Sequence, residues 1–279
     1  MTKTFKGLYK ISRPLSTLTG VLAVILGGYV AGTGTWDKIA LAALATLLVS
    51  AAANAWNDYR DIDIDRINQP QRPLPSGMVS PRAVLIFSVV LAVLSVILAA
   101  LISPTALLIA VASNVLLYIY SVWLKSTVLL GNATVALISA MSPVFGGVAA
   151  GNVRPSLWLG AIIFVGILGR EVLKTLADYD GDQAHHVRTI STAIGPRAAR
   201  TIFFFLLGAT AIIMLAPYLV GHYHAVYAWI VALGVFPVAI YVIIRVTRER
   251  TGPQLERLSQ LLKYDFLIWF IAVLLGAAV

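Results

Sequence analysis

Long apolar runs, separated by short polar segments, follow one another along the chain. Nine of these runs have about 20 residues, the length that a helix needs to cross the hydrocarbon core of a bilayer. Barrel strands are excluded because their polar and apolar residues would alternate. We therefore predict an all-α integral membrane protein, with nine transmembrane helices in one bundle and a single domain over residues 1–279. The predicted spans are roughly 15–33, 38–57, 82–101, 104–122, 128–149, 156–177, 201–219, 225–246 and 262–278.

The composition supports the same class of protein. Hydrophobic residues make up 59% of the 279 residues and charged residues only 12%, about half the charged fraction of soluble domains. The run that begins near Leu15 is expected to be a span rather than a cleaved signal peptide, because no A-x-A-like exit follows it. Cysteine is absent, which excludes disulfides, thiolate catalysis and cysteine-ligated metals.

The basic residues indicate the orientation in the membrane. With the N-terminus in the cytoplasm, 19 of the 21 Lys and Arg residues fall on the cytoplasmic side, and only Lys38 and Arg154 lie opposite. Positive residues collect on that side of membrane proteins. The net charge of +9 is therefore explained by topology rather than by nucleic-acid binding. We predict a multi-pass protein of the cell membrane whose N-terminus and two long polar loops, at about 58–81 and 178–200, are cytoplasmic.

Two short segments, after the second and sixth runs, hold most of the acidic residues. Helical spacing would place Asn57, Asp61 and Asp65 on one helix face, and Asp178 and Asp182 on a face of another helix. Hard oxygen ligands suit Mg²⁺, which takes one or two carboxylates together with waters and phosphate oxygens. With Arg and Lys nearby, these rows predict a magnesium–diphosphate site. The acidic residues of the two segments are Asp58, Asp61, Asp63, Asp65, Glu171, Asp178, Asp180 and Asp182.

Three alternative roles for the acidic segments explain fewer of their features than a magnesium–diphosphate site does. Solvated caps at the membrane surface would not need two rows spaced by four residues. An EF-hand loop would begin with D-x-D-x-D, as at residues 61–65, but the glycine and glutamate that it needs are missing. An ion- or proton-coupled transporter remains an alternative, since intramembrane acids also mark transport pathways. Here, however, the acids cluster at the predicted helix ends.

The two segments resemble motifs of the UbiA superfamily of intramembrane prenyltransferases. Residues 57–65 resemble its N-D-x-x-D-x-x-x-D motif, followed by Asn68 and by R-P-x-P-S-G from Arg72. Residues 178–182 resemble its D-x-x-x-D motif, and the resemblance extends over essentially the whole chain. It implies that both motifs bind Mg²⁺ and an isoprenyl diphosphate in a central cavity that opens laterally to lipid.

Three further segments are similar to the archaeal-type geranylgeranylglyceryl phosphate geranylgeranyltransferases of this family. They are "SRPLS" at 12–16, Y-S-x-x-L-K…G-N within 118–132 and "GRE" from Gly169, although Ser16, Ser126 and Thr175 depart from the family pattern. The resemblance implies geranylgeranyl transfer from the diphosphate to the hydroxyl of geranylgeranylglyceryl phosphate, a step of ether-lipid synthesis in the membrane. The alternative acceptor is an aromatic ring, such as 4-hydroxybenzoate or another quinone precursor.

Individual side chains receive roles from this resemblance and from their chemistry. Arg72 and Lys125 are expected to contact the diphosphate and to stabilise the leaving pyrophosphate, together with the metal-binding aspartates. Asp58 and Asn68 join the substrate-binding set through the motif. The predicted Mg²⁺ ligands are Asn57, Asp61, Asp65, Asp178 and Asp182.

Three residues near helix ends have two interpretations each. Arg170 and Lys174 lie inside the sixth span, where ionisable groups usually face a functional cavity, so contact with substrate phosphate is expected. A structural pair between Lys174 and Glu171 is the alternative. Tyr118 would shield an allylic cation with its aromatic face, or would be an ordinary interfacial aromatic residue.

Overall fold

The computed structural model describes residues 3–32, 34–125, 127–248 and 252–277, without the side chains of Leu15, Ser16 and Asn68. Within these ranges the regular secondary structure is helical, apart from one isolated antiparallel bridge between Tyr223 and Ala277. Two π-helical segments, Tyr120–Leu124 and Val231–Val235, continue the α-helices before them. The α-helices are α1 (Lys3–Ile11), α2 (Pro14–Val30), α3 (Trp36–Arg60), α4 (Ile62–Asn68), α5 (Pro81–Ala100), α6 (Pro104–Ile119), α7 (Leu130–Ala150), α8 (Arg154–Ala177), α9 (Tyr179–Ala184), α10 (Ile190–Ile194), α11 (Pro196–Leu219), α12 (Ala225–Ile230), α13 (Phe236–Arg248) and α14 (Gly252–Gly276).

Eight helical stretches in the described residues are long and apolar enough to cross a membrane, which confirms an all-helical, multi-pass architecture. The first predicted run, 15–33, forms the shorter α2, so a ninth crossing and the central cavity stay predictions. The last helix begins at Gly252, before the predicted start at residue 262, because its amphipathic first turns continue into the apolar part. The eight stretches are Trp36–Arg60, Pro81–Ala100, Pro104–Leu124, Leu130–Ala150, Arg154–Ala177, Pro196–Leu219, Ala225–Arg248 and Gly252–Gly276.

Local sequence signals account for where several of these helices begin. The side chains of Ser80 and Ser103 accept hydrogen bonds from backbone N–H groups in the first turns of α5 and α6. A proline directly follows each serine and occupies the first helical position, where a backbone N–H would have no helical partner. Serine caps and prolines thus start both helices where the apolar runs begin.

The chain divides into two compact units. The first comprises Met1–Leu124 and Ser142–Val153, and its core includes Val24 and Ile39, packed with alanines of α3, α5 and α6. In α2 and α7 the backbones approach so closely that a Cβ at Gly27 or Gly146 would overlap a carbonyl of the facing helix. Small residues permit such contacts between helices in membranes, where hydrophobic burial contributes little to association.

The second unit comprises Lys125–Met141 and Arg154–Val279. Its core joins α8, α11, α13 and α14 through buried aliphatic residues and Phe203. Fully buried Trp269 donates its indole N–H to the hydroxyl of Tyr227 at 3.0 Å, and that hydroxyl donates to the backbone carbonyl of Met214 at 2.7 Å. The polar atoms of these two large side chains are therefore satisfied inside the unit, as burial requires.

Candidate active site

The first acidic segment keeps its helical spacing through a break in the helix. Although α3 ends at Arg60 and α4 begins at Ile62, the N–H of Asp61 donates to the carbonyl of Asn57 at 2.9 Å. The N–H of Asp65 donates in turn to the carbonyl of Asp61 at 2.8 Å. Bonds of this i to i−4 type hold Asn57, Asp61 and Asp65 on successive turns of one face. The backbone confirms the row that the spacing predicts.

Two arginines bind the buried carboxylates of this segment. Nη1 of Arg72 donates to both carboxylate oxygens of Asp65, at 2.8 and 2.7 Å, and lies 4.0 Å from Asp58. Arg13 donates to Asp58 through Nη2 and to the amide oxygen of Asn54 through Nη1. Asp58 and Asp65 are both buried, and buried carboxylates are tolerated only when they are paired and hydrogen-bonded. The segment is therefore electrostatically balanced by the protein itself.

Arg13 is a residue that the sequence analysis missed. It was counted among the cytoplasmic basic residues, yet it bonds the buried Asp58 from a left-handed backbone conformation, with φ of 49°. The amide of Asn54 donates to the backbone carbonyl of Ser12 at 3.2 Å, which ties α3 to this turn. A non-glycine residue in that conformation needs support from its surroundings, and such strain often marks functional sites. The "SRPLS" similarity was the available signal.

Aromatic rings lie beside the first acidic row. Trp56, immediately before Asn57, has its ring centroid 4.9 Å from that of Tyr118 and 5.8 Å from that of Tyr59. Tyr118 also meets Trp123 edge to face at 6.4 Å, and the π-helical segment begins two residues after it. The tyrosine is thus part of an aromatic cluster on the same unit as the first row. Its predicted contact with an allylic cation stays a prediction.

The second acidic segment also continues the helix before it. The N–H of Asp178 donates to the carbonyl of Lys174 at 2.9 Å, and the N–H of Asp182 donates to the carbonyl of Asp178 at 2.8 Å. These bonds bridge the end of α8 and the start of α9, so the three side chains share one face. The predicted pair of aspartates is therefore present, extended at its N-terminal end by a lysine.

Negative charge is concentrated around Asp178. Partial loss of hydration raises the pKa of the Asp178 carboxyl group, and the carboxylates of Asp182 and Glu256 raise it further. Lys174 lowers the same pKa. Partial burial also raises the pKa of Asp182, and a hydrogen bond from the side chain of Thr189 partly lowers it. Within the described residues, no arginine or lysine forms an ion pair with either aspartate. A cation bound here would relieve this repulsion.

Arg170 and Lys174 contact a common buried acid. Nζ of Lys174 donates to both carboxylate oxygens of Glu171, at 3.1 and 3.0 Å, so the structural pair that the spacing allowed is formed. Nη1 of Arg170 lies 3.6 Å from the same carboxylate, and its Nε donates to the backbone carbonyl of Ser259 at 3.1 Å. The predicted substrate contact of these two residues stays a prediction.

The remaining predicted residues are placed less specifically. Lys125 is exposed at the start of the second unit, and the side chain of Asn68 lies outside the described residues. His185 and His186 follow α9 and are exposed. The predicted contact of Lys125 with the diphosphate and that of Asn68 with substrate stay predictions.

The donor set fits Mg²⁺. Across the described ranges, no group of three or more His, Asp or Glu residues could hold a metal ion through protein ligands alone. Mg²⁺ does not require such a group, since it commonly keeps several waters and takes one or two carboxylates together with substrate phosphates. Each of the two rows offers carboxylate oxygens of this kind. The carboxylates of the first row are balanced by arginines, and those of the second are crowded with negative charge.

Comparisons with known proteins agree with these observations. The sequence model described as the UbiA prenyltransferase family matches residues 18–276. Digeranylgeranylglyceryl phosphate synthase from Halobacterium salinarum is 35% identical over 99% of both chains. The enzyme of the same name from Methanopyrus kandleri is 35% identical over 76% of this chain and 78% of its own.

Solved structures give the same result. A structure described as digeranylgeranylglyceryl phosphate synthase in membranes superposes with a TM-score of 0.84, at 28% identity over 98% of each chain. A UbiA homologue from Archaeoglobus fulgidus bound to DMAPP and Mg²⁺ superposes with a TM-score of 0.74 over 94% of this chain and 99% of its own, and at 19% identity it supports the fold alone. Because the family match covers nearly the whole sequence, the chain belongs to the UbiA prenyltransferase family.

Proposed function

We propose that this membrane enzyme transfers a geranylgeranyl group from its diphosphate to the hydroxyl of geranylgeranylglyceryl phosphate, in a reaction that depends on Mg²⁺ and forms an ether lipid. The observation that carries the proposal is the full-length identity of 35% with digeranylgeranylglyceryl phosphate synthase of Halobacterium salinarum. The structural neighbour of the same name adds support, and it covers 98% of this chain. The Archaeoglobus fulgidus homologue, which shares the fold, is described as bound to DMAPP and Mg²⁺, and the proposal assigns the same ion to this chain.

In this proposal, Asn57, Asp61, Asp65, Asp178 and Asp182 hold Mg²⁺. The bound ion would supply positive charge against the diphosphate and the departing pyrophosphate. Cleavage of the allylic C–O bond leaves the electron pair on pyrophosphate. The acceptor oxygen then forms the new C–O bond and releases its proton.

Cationic side chains complete the diphosphate site in this mechanism. Arg72 fixes the carboxylate of Asp65, and its remaining N–H groups are available to a phosphate oxygen. Lys125 contributes a point charge at the phosphate, and Asp58 acts by holding Arg13 in place. Asn68, Arg170 and Lys174 contact the substrates, and Tyr118 presents its ring to the allylic cation.

The proposal also fixes an orientation in the membrane. Nine crossings, with α2 as the first, would place the N-terminus and both acidic segments on the cytoplasmic side of the cell membrane. The basic residues support it, because all but two of the 21 Lys and Arg residues fall on that side. A lateral opening to lipid would admit the long prenyl chains of donor and acceptor.

An acceptor assay tests the reaction. Purified protein in lipid nanodiscs would be incubated with geranylgeranyl diphosphate and Mg²⁺, and with either geranylgeranylglyceryl phosphate or 4-hydroxybenzoate. We expect a prenylated product and pyrophosphate with the glyceryl phosphate only, and neither after chelation of Mg²⁺. Turnover with the aromatic acid alone would establish the alternative acceptor. Release of pyrophosphate at the parental rate by both Asp61→Ala and Asp178→Ala would refute the assigned site.

A further inference from the structure

A cavity of about 290 Å³ lies in the second unit, beside the second acidic segment. It is bounded by the last residues of α8, the first residues of α11 and the first turn of α14. All three are ends of membrane-spanning stretches, so the cavity lies at the boundary between lipid and water. Its volume is close to the lower limit of about 300 Å³ for small-molecule pockets. A headgroup-sized ligand would therefore fit.

Two glycines shape this cavity. Gly195 precedes α11 with φ of 84°, a conformation that favours glycine, and it turns the chain directly into Pro196 at the first helical position. At Gly252, a Cβ would come within 2.4 Å of the backbone carbonyl of Ala177. The start of α14 therefore approaches the end of α8 only because position 252 carries no side chain, whereas Gly195 permits the turn into α11 through its backbone conformation.

The polar lining of the cavity is mainly cationic. Arg197 and Arg200 line it from the first five residues of α11, opposed by the single carboxylate of Asp180. Within the described residues, neither arginine is paired with a carboxylate. Nε of Arg200 is buried without a hydrogen-bond partner. A buried donor left unpaired costs about 1–3 kcal/mol, so a ligand that accepts this hydrogen bond would be stabilised.

The helix itself favours the same ligand. Its first five residues contain two arginines and no acidic residue, although the N-terminus of a helix carries positive partial charge and favours anions. The positive charges of the arginines and of the helix N-terminus therefore repel each other until an anion occupies the site. Leu176, Leu255 and Pro196 line the remaining wall, and they offer apolar contacts to the carbon atoms next to such an anion.

We propose that this cavity binds the phosphate group of a membrane lipid, with Arg197 and Arg200 as its ligands. Guanidinium groups bind phosphate oxygens through paired N–H donors, and the apolar wall would take up the glycerol and the first methylenes. The lipid would be either a bulk anionic phospholipid or the phosphorylated acceptor itself. Only this second source rests on the proposed function.

Binding would be measured first, without reference to catalysis. The delipidated full-length protein would be titrated with dioleoylphosphatidic acid and with dioleoylglycerol, which lacks the phosphate, and bound lipid would be counted by native mass spectrometry. We expect phosphatidic acid to bind and dioleoylglycerol not to bind at the same concentrations. Arg197→Gln and Arg200→Gln should each weaken binding by about tenfold or more, the loss expected from one charge-assisted hydrogen bond of 1.5–3 kcal/mol.

Arg257→Gln is the matched control. Arg257 is exposed on α14, at the same end of the unit, and does not line the cavity. The change removes the same charge and should leave binding unchanged. Equal weakening by all three substitutions would show a diffuse charge effect and overturn the proposal, as would equal binding of dioleoylglycerol. Because Arg197 is exposed, its substitution should not compromise folding.

Kinetics would then distinguish the two lipid sources. If the acceptor's phosphate occupies the cavity, Arg197→Gln should raise KM for the phosphorylated acceptor about tenfold and leave kcat and the KM for geranylgeranyl diphosphate unchanged. If a bulk lipid occupies it, KM should stay constant, and any dependence of activity on the anionic lipid content of nanodiscs should disappear. Unaltered lipid binding together with unaltered kinetics would refute the site. An inactive wild-type protein that still binds phosphatidic acid through Arg197 would instead refute the proposed function alone.

Discussion

The two acidic segments are built on the same spacing but are balanced in opposite ways. In the first, Arg72 and Arg13 bind the buried carboxylates of Asp65 and Asp58 directly. In the second, Asp178 faces the carboxylates of Asp182 and Glu256, and among the residues that the structure describes only Lys174 lowers its pKa. Four-residue spacing between acids therefore creates a row of oxygen donors in both places. What surrounds that row decides whether the protein or a bound cation provides the compensating charge.

The contrast suggests a division of roles. The carboxylate of Asp65, both of whose oxygens accept from Nη1 of Arg72, is already oriented before any ligand arrives, and it still has lone pairs for a metal ion. A crowded, partly hydrated pair of carboxylates gains most from a divalent cation, because the cation removes their repulsion. The first segment would then provide orientation, and the second segment would provide much of the dependence on Mg²⁺.

The largest expected effect comes from removing a predicted metal ligand in either segment. Asp61→Asn and Asp178→Asn should each lower Mg²⁺-dependent pyrophosphate release by at least about 100-fold, since loss of even outer ligands of metal sites costs about 10–100-fold. Asp63→Asn is the control, because Asp63 is exposed and, within the described part of the chain, its ion pair is with the neighbouring Arg66. Near-parental rates in Asp178→Asn would limit the metal site to the first segment.

The next effect tests the arginine-balanced segment through stability. Arg72→Ala leaves the buried carboxylate of Asp65 without the guanidinium nitrogen that donates to both of its oxygens. We expect a loss of about 2 kcal/mol, less than the 3–5 kcal/mol for fully buried pairs because about a third of the Arg72 side chain is exposed. Thermal unfolding in detergent should show a decrease in Tm of several degrees. Arg66→Ala, which breaks an exposed pair, should change Tm very little, and an equal decrease in both variants would contradict the comparison.

A smaller effect is expected for the aromatic cluster beside the first segment. Tyr118→Leu removes the ring that packs against Trp56, whereas Tyr118→Phe keeps it. If the ring stabilises an allylic cation, the leucine variant should lose about 3- to 30-fold in kcat, equivalent to about 0.5–2 kcal/mol. The phenylalanine variant should keep kcat. An equal loss in both variants would assign the effect to the hydroxyl instead.

The smallest expected effect has opposite signs in the two segments when no Mg²⁺ is present. The pKa of Asp178 is raised above its ordinary value of 3.8, so the folded chain binds this proton more tightly than the unfolded chain does. Stability is therefore lost as the pH rises through the interval between the two pKa values, and the loss is complete at neutral pH. Asp178→Asn should stabilise the metal-free protein by about 0.2–0.5 kcal/mol, whereas Asp65→Asn should destabilise it. The free energy of unfolding at pH 7 in EDTA measures both effects. Destabilisation by Asp178→Asn would contradict the claim that repulsion between carboxylates destabilises the second segment.

Periodicity predicted much of this architecture, because the apolar length of a membrane helix is fixed by the bilayer and polar breaks mark its ends. The i, i+4 rows also followed, since the helical hydrogen bonds continue past Arg60 and past Ala177. The pairing of Arg13 with Asp58 could not be predicted from spacing, because it joins residues 45 positions apart. Arg72 was assigned to phosphate, whereas its contact with Asp65 depends on how the turn after α4 folds back.

The central claim is that both acidic segments are needed for one Mg²⁺-dependent binding event. Its most direct test is the affinity of the purified protein for the non-hydrolysable analogue geranylgeranyl thiodiphosphate, measured by calorimetry with and without Mg²⁺ in wild type, Asp61→Asn and Asp178→Asn. The account predicts binding by the wild-type protein that requires Mg²⁺ and is lost in each single variant. Wild-type affinity in either variant, or tight binding in the presence of EDTA, would contradict it.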